Sequence, residues 1–264
     1  MYRFRLPELI FIIFGFFPSI THSQVDRLPH YHAKKIRKSI TIDGKIDERI
    51  WEKAKWTNDF VDITGDKMKK PRFSTKCKIL WDEEHLYIAA HLEEPHLYAT
   101  LNKHDDIIYR EHDFEVFLDP GADQTNYFEI EVNALNTTME LFMNKPYKKG
   151  GTYDMNWNAE GMVTAVNLKG SLNDQNDIDS GWTLEMKIPF TALEKENRPY
   201  KPKRGSTWRI NFSRVEWDME MKDGNYTVKK NVQGKKLPED NWVWSPIGVV
   251  NMHIPEKWGY LTFK

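Results

Sequence analysis

Two segments of the 264-residue chain set carboxylates two positions apart within alternating apolar and polar runs. They are Asp113-Phe114-Glu115-Val116-Phe117-Leu118-Asp119 and Tyr127-Phe128-Glu129-Ile130-Glu131-Val132-Asn133. In an extended strand residues i and i+2 share a face, so Asp113 projects with Glu115 and Glu129 with Glu131. Such pairs fall within the ~5–10 Å separation that hydrolysis of a glycosidic bond requires of its two carboxyl groups. Any acidic alternating strand does the same, and no wider catalytic constellation accompanies these two. Arg209 and Asn211 hold matching positions in Thr207-Trp208-Arg209-Ile210-Asn211-Phe212. Carboxylates, amides and guanidinium groups repeated on the polar faces of several strands form a platform suited to directed hydrogen bonds with a hydroxylated ligand. A plain solvated sheet face is the alternative.

Other residue types leave their chemistry open. His104-Asp105-Asp106 and His112-x-x-Glu115 contain metal-ligating types without a recognised zinc spacing. Asp119 and Asp123, around Pro120-Gly121, are candidates for calcium or for capping a turn. Met252-His253 carries the two side chains that can ligate haem, although nine histidines and ten methionines supply such pairs by chance. Aromatic residues are abundant, with Trp 10, Tyr 11 and Phe 14. Trp81, Trp182 and Trp208 lie inside strand patterns and read as core. Trp157, Trp217, Trp242 and Trp244 lie in or beside loops, where binding residues concentrate.

The elements that position these groups read as strands. Thr75–Asp82 and His85–Glu94 predict a hairpin around Asp82-Glu83-Glu84. Further strands are predicted in the two acidic segments, and in 161–170, 181–190, 207–217 and 258–264. Helical spacing appears only briefly, at Asp47–Trp56 and after Pro189, and long loops are expected at Lys145–Gly151 and Asp218–Pro238. Short strands separated by Gly, Pro, Asn and Asp predict an all-β antiparallel sandwich with one or two short helices.

Residues 1–23 form a separate unit. Arg3 and Arg5 precede an apolar run from Leu9 to Phe17, Pro18 breaks it, and small and polar residues lead to Ser23. This is the layout of a signal peptide cleaved near Ser23, which predicts export to the periplasm or beyond and no membrane span afterwards. The net charge of -1 leaves no basic excess for a nucleic-acid backbone. Cys77 is the single cysteine, which excludes an internal disulfide and a cysteine-rich zinc site.

In their order, the segments ITIDGKIDERIWEKA, ILWDEEHLYIAAHLEEP, HDFEVFLDP, GWTLEMKIPF, WRINFSRVEW and EDNWVWSPIGVVNMHIPEKWGYLTF resemble the family 9 carbohydrate-binding modules. The match is closest to their exported bacterial relatives and covers residues 30–264 as one domain. The resemblance implies a DOMON-like β sandwich that binds a polysaccharide of plant or algal type, or its oligosaccharide ends, in support of carbohydrate catabolism. It also implies glycoside hydrolases as companions, no required cofactor, and a structural calcium as an option. Two aromatic rings clamp the sugar in that family. By position the first falls at Tyr109 and the second at Met252, which has no flat ring. The family's gripping carboxylate falls at Glu115, its arginine is replaced by Glu131, and its asparagine is kept as Asn133. The expected site is therefore Tyr109, Glu115, Glu131, Asn133 and Arg209, with Trp157, Trp217 or Trp244 as further walls. The alternatives are a haem-binding redox sandwich, a structural module beside glycoside hydrolases, and a glycoside hydrolase.

Overall fold

The computed structural model describes residues 28–65, 68–194, 200–222 and 224–264. The leader expected at 1–23 lies outside the described residues. The strands are β1 (His30–Lys35), β2 (Val61–Asp62), β3 (Thr75–Trp81), β4 (His85–Leu92), β5 (Phe114–Asp119), β6 (Tyr127–Val132), β7 (Thr138–Met143) and β8 (Tyr153–Asp154). They continue with β9 (Val163–Lys169), β10 (Gly181–Pro189), β11 (Thr207–Glu216), β12 (Met219–Lys222), β13 (Asn225–Val228), β14 (Asp240–Val243) and β15 (Gly259–Phe263).

Hydrogen bonding follows the path β8-β7-β6-β5-β11-β15-β1-β3-β4-β10-β9, a sheet that curls until its halves face each other over one core. We call β8 to β15 along this path the first half and β3 to β9 the second. Alternation supplies that core: Phe114, Val116 and Leu118 of β5, Phe128, Ile130 and Val132 of β6, and Trp208, Ile210 and Phe212 of β11 meet Ile79, Ile88, Leu184 and Met186. Trp81, Trp182 and Cys77 are buried there as their strand positions predict.

The sheet is mixed, not purely antiparallel. His30–Ala33 of β1 run parallel to β15, and Lys34–Lys35 run parallel to β3, so one short strand joins the halves. The segment expected to be a long loop at 218–238 contains the β12–β13 hairpin. The helix expected at Asp47–Trp56 contracts to a 3-10 turn at Arg49–Lys53, flanked by extended backbone at Glu48 and Ala54. Its Trp51 is buried, and the indole N–H donates to Glu185 Oε1 at 2.7 Å. The adjoining Asp43-Gly44 turn packs so tightly that a Cβ on Gly44 would stand 2.6 Å from the Val166 carbonyl carbon. Among the described residues no helix is long and apolar enough to cross a membrane.

At one end of the core the period-two pattern of β11 continues with Arg214 and Glu216. The Arg214 guanidinium is 1% exposed and donates to Glu94 Oε2 (2.6 Å), Glu216 Oε2 (2.8 Å), Thr75 Oγ1 (3.0 Å) and the Glu93 carbonyl (2.8 Å). His112 Nδ1 stands 3.2 Å from Glu216. Burial and the neighbouring Glu216 push the Glu94 carboxyl up to about 7, whereas His112 and Arg214 overcome burial and bring Glu216 down to about 2. Removing the guanidinium leaves two buried carboxylates without their main cation. Arg214→Met is therefore expected to lower the unfolding free energy by about 3–5 kcal/mol; urea unfolding measures this, and a loss under about 1 kcal/mol would contradict the clamp.

Candidate functional site

The outward residues of β5, β6 and β7 form a small grid. Register places Glu115, Glu131 and Met139 in one row and Phe117, Glu129 and Leu141 in the next. This grid floors a cleft of about 430 Å³. Ile107 and Tyr109 rise along one border, Tyr147, Tyr153 and Met155 come from the region between β7 and β9, and Asn251, Met252 and His253 come from the loop before β15. Tyr109, Tyr147 and Tyr153 are 46%, 44% and 57% exposed, which leaves their rings free to receive a ligand.

The floor is electrostatically unusual. Glu115 and Glu131 are directly opposed across the strand pair, a like-charge arrangement that destabilises a sheet when both groups are ionised. Burial pushes the Glu115 carboxyl up to about 7. Burial and neighbouring carboxylates hold Asp113, Glu129 and Glu131 well above the usual carboxylate range. His253 Nε2 lies 3.8 Å from Glu129, but burial holds its imidazole down to about 4, so it brings no positive charge at neutral pH. Its Nδ1 lies 3.1 Å from the Tyr127 hydroxyl. Among the described residues no lysine or arginine lines the cleft.

Two contacts pin the Tyr109 backbone: its N–H donates to Glu131 Oε2 (3.1 Å), and its carbonyl accepts from the Trp217 indole (3.2 Å). Trp217 thus braces the loop from behind and does not line the cleft. Asn133 is fully buried at the end of β6. It donates to the Leu101 carbonyl (2.7 Å) and Glu111 Oε1 (2.9 Å), while its oxygen accepts from the Leu135 and Thr137 N–H groups. It therefore anchors the segment that carries Tyr109 from beneath.

Tyr109, Glu115 and Glu131 line the cleft together, beside Met252; the other expected site residues do not line it. Arg209 lies over the Tyr260 ring and donates to the Trp258 carbonyl (3.0 Å), since β15 offers an aromatic face and free carbonyls beside it. Trp157 packs 4.7 Å from Phe128, and Trp244 packs 6.0 Å from Phe212, both within the inter-sheet core. Trp242 is likewise buried, under Arg214. The rings that sequence reading missed are Tyr147 and Tyr153. They sit in KPYKKGGTYD, and their paired spacing around two glycines was the available signal.

Asp119 accepts from the Gln124 N–H through Oδ2 (2.8 Å) and leaves Oδ1 buried without a hydrogen bond. Burial pushes its carboxyl up to about 6. Asp123 caps Thr125, accepting from its N–H and hydroxyl. A buried carboxylate oxygen without a hydrogen bond is a hard donor that suits calcium, so Asp119 fits the ion that the resemblance implies, whereas Asp123 is engaged in its turn.

The family described as carbohydrate family 9 binding domain-like matches residues 42–242, and the chain belongs to it. Endo-1,4-beta-xylanase C of Paenibacillus barcinonensis is 34% identical over 98 residues, 37% of this chain and 8% of that enzyme. The chain spans about a tenth of the length of the bacterial xylanases and the exoglucanase it matches. A family 9 module of Caldicellulosiruptor kristjanssonii, solved with cellotriose, superposes with a TM-score of 0.57 at 18% identity, over 89% of this chain and 94% of that one. A candidate carbohydrate-binding protein of Bacteroides uniformis superposes at 0.63 with 16% identity, over 90% and 100%. These two likenesses establish the β-sandwich fold.

A carboxyl whose folded pKa is raised stabilises the fold below its unfolded pKa and loses that contribution as pH rises through the folded value. For Glu115 the window runs from 4.5 to about 7. In chelating buffer, the stability of the wild type is expected to fall across that window more steeply than that of Glu115→Gln. Urea unfolding at pH 5, 6 and 7 gives the comparison, and parallel slopes would contradict the buried position of Glu115.

Proposed function

We propose that the chain binds a saccharide in the tyrosine-walled cleft and leaves its glycosidic bonds intact. The observation that carries this reading is the pairing of three exposed tyrosine rings with a buried carboxylate floor. A sugar ring has apolar C–H faces that an aromatic side chain covers, and hydroxyls that carboxylates accept from. Tyr109 and Tyr147 would stack, with Glu115, Glu129 and Glu131 accepting from the hydroxyls.

Cleavage is not supported by the same geometry. Glu115 and Glu131 rise from one sheet face, whereas a glycosidase sets its two carboxyl groups on either side of the scissile bond. Chains of β-linked glucose or xylose from plant or algal walls are the ligands in keeping with the cellotriose-bound neighbour and the xylanases that share this domain. We further read the protein as exported through residues 1–23 and working beside glycoside hydrolases, with a structural calcium at Asp119.

Calorimetric titration with cello- and xylo-oligosaccharides, intact and with reduced ends, tests the assignment. Saturable binding is expected. Tyr109→Ala and Tyr147→Ala should each weaken it about tenfold, roughly 1.4 kcal/mol, at an unchanged melting temperature. Asn133→Ala should instead lower stability by about 1–3 kcal/mol through its lost buried hydrogen bonds. Absence of binding to every sugar tested, or full affinity in both tyrosine variants, would overturn the reading.

A further inference from the structure

Asp113 lies just before β5, Glu115 within it and Glu131 opposite Glu115 on β6. One oxygen from each of these three carboxylates lies within 4.8 Å of the others. All three are buried, at 0%, 5% and 1% exposure. Oxygens that share one calcium ion at 2.3–2.6 Å stand no more than about 5 Å apart, so the trio has the spread of a single coordination sphere.

The protein's own hydrogen bonds do not use up these oxygens. Asp113 Oδ1 accepts from the Val215 N–H (3.0 Å) and Glu131 Oε2 from the Tyr109 N–H (3.1 Å). Asp113 Oδ2 is fully buried and has no hydrogen-bond partner, and Glu129 Oε2, beside the trio on β6, has none either. Buried polar atoms in folded proteins are nearly always satisfied, so an orphaned carboxylate oxygen inside a carboxylate cluster points to a missing positive partner. A second buried cluster among the described residues, Glu94, His112 and Glu216, shows the contrast, because Arg214 already fills it.

We propose that Asp113, Glu115 and Glu131 hold one hard divalent cation at the floor of the cleft. An all-oxygen set without histidine or cysteine selects calcium, or magnesium or manganese, over zinc or copper. Glu115 and Glu131 also line the cleft, so the positions they leave open face the ligand. On the saccharide-binding reading of this cleft, and resting on it, two neighbouring sugar hydroxyls complete the coordination. The site is separate from the Asp119 turn and depends on Glu131, which stands where the family resemblance places an arginine.

The experiment starts from protein stripped with EDTA and adds calcium, magnesium or manganese while the melting temperature and terbium luminescence are followed. A saturable rise in melting temperature is expected in the wild type, together with its loss in Glu131→Gln and Asp113→Asn. Without metal, Glu131→Gln should melt above the wild type, because the amide needs no proton to stay neutral in this buried, acidic setting and keeps an oxygen for the Tyr109 N–H; this also shows that the variant folds. A wild type indifferent to all three ions would overturn the proposal. So would a metal response that survives in both variants, since the ion then lies elsewhere. Calorimetric titration with oligosaccharide, in calcium and in EDTA, separates the two readings. A loss of affinity of about tenfold or more in EDTA is expected. Equal affinity in both buffers would overturn direct coordination of the sugar. No sugar binding in either, with the metal response intact, would overturn the saccharide reading and leave the cation site standing.

Discussion

The two halves of the curled sheet are drawn from distant parts of the chain, and at one end of their shared core Arg214 holds them together. Its guanidinium reaches from β11 to Thr75 on β3 and to Glu93 and Glu94 just past β4, while keeping Glu216 on its own strand. A planar fork with five donors can satisfy several acceptors at once, which an ammonium group at the same place would do less well. The guanidinium lies over the Trp242 and Phe73 rings, so the polar cluster meets the edge of the apolar core through aromatic faces. With that corner fixed, β5 beside β11, and β6 beyond it, present their outer residues as the floor of the cleft.

Both halves carry acidic residues on their outer faces, and the covering segments decide what becomes of them. On the second half, the chain from 36 to 54 lies across β10. Glu185 is consumed there, accepting from the Trp51 indole and from the Asp43 and Gly44 N–H groups. On the first half, the covering loops stop short. Asn211 is spent on Ser245, but Glu115, Glu129 and Glu131 keep capacity to spare. Identical alternation thus yields a sealed face in one place and a receptive one in the other.

That difference explains how much the sequence discloses. Period-two patterning reveals β3 to β6 and β9 to β11, their inward faces, and the carboxylates of the floor, because each follows from local geometry. It does not reveal β1, whose pairing is parallel and split between two partners, or that Asn133 turns inward to hold the loop at Leu101. Tyr147 and Tyr153 escape it too, since a 3-10 turn and a two-residue strand are too short to show a periodicity. Trp157 and Trp244 mislead for the opposite reason: they neighbour loops in sequence, yet their large apolar surfaces are drawn into the core.

The split pairing of β1 has a consequence for how the molecule comes into being. His30 pairs with Tyr260, so the strand that stitches the halves together must wait until synthesis has passed β15 before its partner exists. Until then, the hairpins β3–β4 and β5–β6 can form locally, but the sandwich cannot close. Contacts of such long sequence separation slow folding, and they keep a nascent polypeptide loose while it is still being delivered from the ribosome. Closure is thereby held back until β15 has emerged to receive β1.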